Sequence, residues 1–168
     1  MSNHLGDLQM KLFNNRISRR GFSLIELVIV VVILGIIGAV AIPRMSRGAE
    51  GAAESALVSN LATLRGSIEL YAAEHGGTFP TAANFSDDML LFSNAAGGTN
   101  ATRTGAFIYG PYLRSMPALP VGARQGSRGV ADSDASGIGW IYIDASGAIT
   151  ANTTGAEVNG AGVAWNTF

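Results

Sequence analysis

Residues 22–42, FSLIELVIVVVILGIIGAVAI, form a run of 21 in which only Ser23 and Glu26 are polar. At about 1.5 Å per residue, a helix of this length spans about 30 Å, the thickness of a bilayer's hydrocarbon core. The run therefore predicts a transmembrane helix. It stops at Pro43-Arg44, where Pro43 removes a backbone donor and kinks the helix or marks its exit from the membrane. Arg44 and Arg47 are then placed for the far headgroups. Beyond the run the pattern changes to a single stripe. Ala53, Leu57, Leu61, Leu64, Ile68 and Tyr71 follow spacings of 4, 4, 3, 4 and 3, the signature of one apolar face of a helix. Glu50, Glu54, Arg65, Glu69 and Glu74 fall largely off that face. Gly76-Gly77 predicts the helix end, with His75 in its last turn. The simplest reading is one helix of roughly 50 residues, with a break near the weak glycines Gly48 and Gly51 left open.

The remainder is shorter in period. Asn84 to Ser93 predicts a short helix with Ser86 as its cap and with Asp87 and Asp88 as negative charge in its first turn. Residues 96–105 and 122–137 are rich in glycine and polar residues and read as loops. Phe107-Ile108-Tyr109 and Tyr112-Leu113 are apolar patches broken by Gly110-Pro111, and Pro117 and Pro120 punctuate the stretch from Met116 to Gly122. Trp140, Tyr142 and Asp144 alternate with Ile141 and Ile143, a strand period. Ser146-Gly147 supplies a turn and Ala148 to Ala151 a returning strand, with Gly162 to Trp165 as one more. The fold class is α+β: a long N-terminal helix packed on a small antiparallel sheet. The divisions are 1–21, 22–42, 43–77 as the amphipathic continuation of the helix, and 78–168 as a globular head.

Charge sharpens the picture. Only 14% of the 168 residues are charged, against about 25% in an ordinary soluble domain. Net charge is −1, which gives no footprint for a nucleic-acid partner. The basic excess sits before the apolar run: Lys11, Arg16, Arg19 and Arg20 against Asp7 alone. That distribution keeps residues 1–21 cytoplasmic and sends the rest outward. The chain has no cysteine and two histidines, His4 and His75, which removes disulfides, thiolate metal sites and thiol nucleophiles. No phosphate loop, HExxH or nucleophile elbow occurs, so the sequence does not read as an enzyme.

The segment Arg19-Arg20-Gly21-Phe22-Ser23-Leu24-Ile25-Glu26-Leu27 resembles the class III signal of type IV pilins and the pseudopilins of type II secretion systems. The resemblance covers residues 16–43 and implies a pilin-like fold. It implies a leader ending at Gly21, cleavage of the Gly21–Phe22 bond by a membrane-embedded prepilin peptidase, and N-methylation of Phe22. A glycine at that bond has no side chain to obstruct a protease. Glu26 then needs an explanation. A carboxylate near a membrane centre costs about 2.5–3.5 kcal/mol on insertion scales, offset by roughly 0.3–0.6 kcal/mol for each aliphatic or phenylalanine residue. Insertion wins, but a charge in lipid calls for a partner. An amine freed at Phe22 would lie about 6 Å away along the helix. The resemblance implies instead that Glu26 pairs with the N-terminus of an adjacent subunit during assembly, which would set axial register because a mispaired charge stays unsatisfied. The plainer alternative has Glu26 snorkelling at the interface. Gly35 and Gly38, with Ala39 and Ala41, would allow close helix packing in a filament core.

A competing reading joins the twin-arginine pair Arg19-Arg20 to a signal-peptidase site at Ala39-Val40-Ala41 and yields a soluble exported binding domain. Against it, 21 apolar residues exceed the usual h-region of 7–15, and Glu26 lies inside. Within the family, Leu64–Pro80, Gly110-Pro111-Tyr112-Leu113 and Trp140–Gly147 resemble the major pseudopilin, and the lack of cysteine departs from many fimbrial pilins. The resemblance also raises calcium, for which Asp132, Asp134 and Asp144 are the local oxygen cluster, although the acidic loop of the family pattern is missing. The expected role is a structural subunit of a type II secretion pseudopilus, single-pass in a bacterial inner membrane with a periplasmic head. The expected partners are its own copies, other pseudopilins, the prepilin peptidase and an inner-membrane assembly platform. A type IV pilus for adhesion, motility or DNA uptake is the alternative.

Overall fold

The computed structural model describes residues 21–168, without the side chains of 41–47. The expectations for Lys11, Arg16, Arg19, Arg20 and His4 lie outside the described residues. Helix α1 runs from Leu24 to Glu74, 51 residues, and remains helical through Pro43, Gly48 and Gly51. Its residues fall into two compact units, divided after Ala41. The second unit, Ile42–Phe168, holds every other element.

The predicted stripe is the core face of that unit. Leu57, Leu61, Leu64, Ile68 and Tyr71 are at most 4% exposed, and Ala53 packs against them half-buried. Helix α2 (Phe85–Leu90) adds Phe85 and Met89. It is shorter than predicted, and Asn84 rather than Ser86 stands at its cap position, without a side-chain capping bond. Helix α1 ends as expected: Gly76 takes φ 65° and the Gly77 N–H donates to the Ala72 carbonyl at 2.7 Å. This is the six-to-one closure that a left-handed glycine permits.

Two small sheets complete the head. Strands β1 (Phe92–Ser93) and β2 (Thr99–Asn100) form an antiparallel hairpin, β1 replacing the end of the helix predicted to reach Ser93 and β2 lying in the predicted loop 96–105. The Asn94 side chain shapes its turn by accepting from the N–H groups of Ala96 and Gly98. The larger sheet has the order β3 (Gly129–Ala131), β4 (Ile138–Ile143), β5 (Ala148–Ala151). The β4–β5 hairpin is antiparallel, as predicted, with Trp140 opposite Ala151 and Tyr142 opposite Ile149. Strand β3 is parallel to β4, so the sheet is mixed. Parallel neighbours are usually joined by a dozen or more residues. Here six suffice because β3 is only three residues long, about 10 Å to retrace. The tail forms a single bridge, Val158 with Ala164, followed by a 3-10 turn at Trp165–Thr167 in place of the predicted strand.

Alternation on β4 turns Trp140 and Tyr142 into the core and leaves Ile143 exposed. Both of these β4 aromatics meet a partner for their polar atom. Trp140 Nε1 donates to the Pro117 carbonyl at 2.9 Å, and the Tyr142 hydroxyl donates to the Pro80 carbonyl at 3.0 Å. Phe85 stands edge-on to Tyr142, ring centroids 4.7 Å apart. Arg65 reaches off the stripe and donates to the carbonyls of Ile149 and Phe168. Gly139 is required by close approach, since a Cβ there would collide with the Ser127 carbonyl.

Leu64, fully buried, and Leu70, 52% exposed on the same helix, provide an internal contrast. Leu64→Ala should cost about 2–5 kcal/mol in chemical denaturation. Leu70→Ala should stay within about 0.5 kcal/mol. Equal losses would mean the stripe is not the core face.

Candidate functional site

The N-terminal segment is built simply. Gly21, Phe22 and Ser23 carry no secondary structure, and α1 begins at Leu24. The Ser23 carbonyl accepts the first helical bond, from the Leu27 N–H at 3.1 Å. The Gly21–Phe22 bond thus lies outside the helix, in exposed backbone, with Phe22 72% exposed. A Cβ built on Gly21 meets nothing within 4 Å, so the fold itself places no demand for glycine there. Glu26 sits in the first turn of α1 and is exposed. The first N–H groups of a helix lack intrahelical partners and carry partial positive charge. A carboxylate in that turn is favoured by about 0.3–1 kcal/mol in water.

The apolar helix around and beyond Glu26 is the dominant feature. Thirteen large apolar side chains between Leu24 and Val40 are exposed, from 42% at Val28 to 81% at Leu24. They occupy all faces of the helix instead of one stripe, the pattern of a helix covered on every side. Fully burying such a side chain contributes about 1.5–3 kcal/mol. With about half their surface still open, the group leaves on the order of 10–20 kcal/mol of burial unrealised in the isolated chain. Among the described residues no helix is long and apolar enough to cross a membrane. The apolar stretch with described side chains ends at Val40, so Ala41 and Ile42 of the 21-residue run lie outside it. Gly35 and Gly38 have open space where a Cβ would stand.

The three aspartates proposed for calcium are not brought together. Asp132 and Asp134 lie in the loop before β4, and Asp144 in the turn after it. Asn152 Nδ2 donates to both Asp134 Oδ1 and the Ile138 carbonyl, which holds Asp134 at the start of β4. Six strand residues, about 20 Å, then separate it from Asp144. Asp134 is also engaged by Arg124, whose Nε and Nη2 each donate to a carboxylate oxygen at 2.9 Å. The Arg124 and Asn152 donors hold the Asp134 carboxyl below its usual range. Among the described residues Asp132 accepts only from the neighbouring Ser133. Among the described residues no group of three His, Cys, Asp or Glu is placed to hold a metal ion.

Two cavities stand out in the second unit. The larger, about 480 Å³, is lined mainly by small and apolar side chains including Ala53, Val121, Val158 and Trp165, with Glu50 as its one charged wall. The other, about 330 Å³, is polar and gathers Tyr71, His75 and Asp88. By sequence these three belong to a helix stripe, a helix end and a helix first turn. Nothing in their spacing signals a shared site, because the turn at 76–84 folds α2 back beside the end of α1.

The family model described as prokaryotic N-terminal methylation motif matches residues 16–42. No curated protein and no solved structure matches the chain. The exposed apolar girdle predicts that the full chain is monodisperse only with detergent or lipid. Removing detergent should give self-association by light scattering, and a monomer that stays stable without amphiphile would contradict it.

Proposed function

We infer that this chain, which carries the N-terminal hallmark of type IV pilins and pseudopilins, is a membrane-anchored subunit that is trimmed after Gly21 and polymerises through α1. The carrying observation is the combination within residues 16–42: a matched methylation motif, a Gly21–Phe22 bond in exposed non-helical backbone, Glu26 in the first helical turn, and an all-round apolar helix behind it. Residues 22–42 then act twice, as a span in the precursor and as a packing surface in the filament. Lys11, Arg16, Arg19 and Arg20 keep the leader on the cytoplasmic side.

Glu26 is the assembly residue in this reading. Cleavage exposes an amine at Phe22, and the carboxylate of a neighbouring copy neutralises it in a medium where an unpaired charge is costly. Only one axial register satisfies both groups. The role is structural and non-catalytic, and the finer assignment is to a type II secretion pseudopilus in the periplasm. That assignment is favoured by the absence of cysteine and by the resemblance of Leu64–Pro80 and Gly110–Leu113 to the major pseudopilin.

Intact mass of the purified protein tests the processing step. The expected product begins at Phe22, with or without one methyl group. A product beginning at Ile42 would overturn the reading in favour of an exported soluble domain. Gly21→Val should fold normally, since a side chain there meets no neighbour, yet remain unprocessed. For assembly, Glu26→Ala should insert and be cleaved but form few filaments by electron microscopy. Normal filaments from that variant would rule out the pairing role.

A further inference from the structure

The polar cavity has an unusual balance of donors and acceptors. Tyr71 and His75, one turn apart, stack with centroids 3.9 Å apart and planes 10° from parallel. His75 Nδ1 lies 2.8 Å from the Tyr71 carbonyl oxygen. A carbonyl only accepts, so Nδ1 carries the proton, and in the neutral ring Nε2 is a bare acceptor. His75 is 7% exposed, and among the described residues its Nε2 has no hydrogen-bond partner. Such orphaned groups are rare in folded proteins and point to a missing partner. Beside it Asp88 is 4% exposed. Among the described residues its carboxylate accepts one hydrogen bond, a long one of 3.3 Å from the Thr81 N–H. Burial pushes the Asp88 carboxyl above its usual range, opposed by the Thr81 bond and the nearby His75. Burial and Asp88 together push the Tyr71 hydroxyl upward.

Among the described residues no lysine or arginine lines this cavity. It offers a carboxylate and an imidazole lone pair, with Tyr71 and Phe79 among its lining side chains, and aromatic rings favour positive charge. A cation with several N–H donors in one plane fits that set. A carboxylate is matched bidentately by guanidinium, which also stacks on aromatic rings and is more weakly hydrated than an ammonium. The volume, about 330 Å³, is at the small end for ligand pockets and suits one side chain or a compact ligand.

We propose that this cavity binds a guanidinium group, with Asp88 as its counter-ion and His75 Nε2 as a second acceptor. The group comes either from a small free compound or from an arginine of a second copy. Every Lys or Arg after Gly21 in this chain is an arginine, and Arg103 and Arg114 are exposed. The site lies within the second unit and does not depend on the processing or assembly reading.

The test uses the full chain in detergent micelles with isotopically labelled histidine, following the His75 ring by NMR. Acetyl-arginine methylamide is titrated against its citrulline counterpart, which has the same shape without charge. A saturable His75 shift with the arginine compound alone is expected, weakened by about tenfold or more in Asp88→Asn as a charge-assisted bond is lost. Equal response to both compounds, no saturable response, or unchanged affinity in a folded Asp88→Asn would overturn the proposal and leave a cavity holding water only. If Asp88→Asn does not fold, the arginine–citrulline contrast in the unaltered protein decides. A His75 shift that grows with protein concentration without added compound, and is removed by Arg103→Gln or Arg114→Gln, assigns the guanidinium to a second copy. Its absence, with binding of the added compound, assigns it to a small molecule.

Discussion

Water must be kept off the helix between Leu24 and Val40. Thirteen large aliphatic side chains there point in every direction around the axis, and the chain itself covers none of them well. A helix so arranged has no polar face to offer solvent, so its cover has to come from lipid, from other copies, or from each in turn. The free energy left unrealised exceeds what one acidic side chain near the helix start can oppose. Glu26 is therefore tolerated energetically and becomes informative chemically. It is the single group in that stretch able to discriminate one neighbour's position from another's.

The same helix follows a second rule after residue 52. There the core-facing residues recur at every third or fourth position, and the resulting stripe organises a head from otherwise weak parts. Strands of two to six residues and a six-residue helix could not hold together alone. They converge because Leu57, Leu61, Leu64, Ile68 and Tyr71 present one continuous face, onto which Trp140, Tyr142, Phe85 and Ile149 pack. Proline carbonyls at positions 80 and 117 accept from the two largest of these side chains, so irregular segments are fixed by aromatic polar tips.

Features set by local periodicity were legible in the sequence. The stripe, the Gly76-Gly77 ending and the β4–β5 hairpin each depend on residues within one or two turns of one another. Strand β3 was not legible, since Gly129-Val130-Ala131 has no alternation of its own and becomes a strand only because β4 is alongside. The aspartate trio failed for a related reason: proximity in sequence hid the length of β4 between Asp134 and Asp144, and Arg124 came from another loop to claim Asp134. The Tyr71–His75–Asp88 cavity required a chain reversal that no motif announces. The methylation motif over residues 16–42 was legible because its pattern is linear: basic residues, glycine, phenylalanine, carboxylate and an apolar run follow one another within 27 residues.

The mixed sheet is bounded by strands of three and four residues. Unpaired strand edges are templates for uncontrolled stacking, and short ones are poor templates. In the filament proposed above, contacts between heads would be left to side chains, which choose their neighbours, and not to backbone ribbons, which accept almost any.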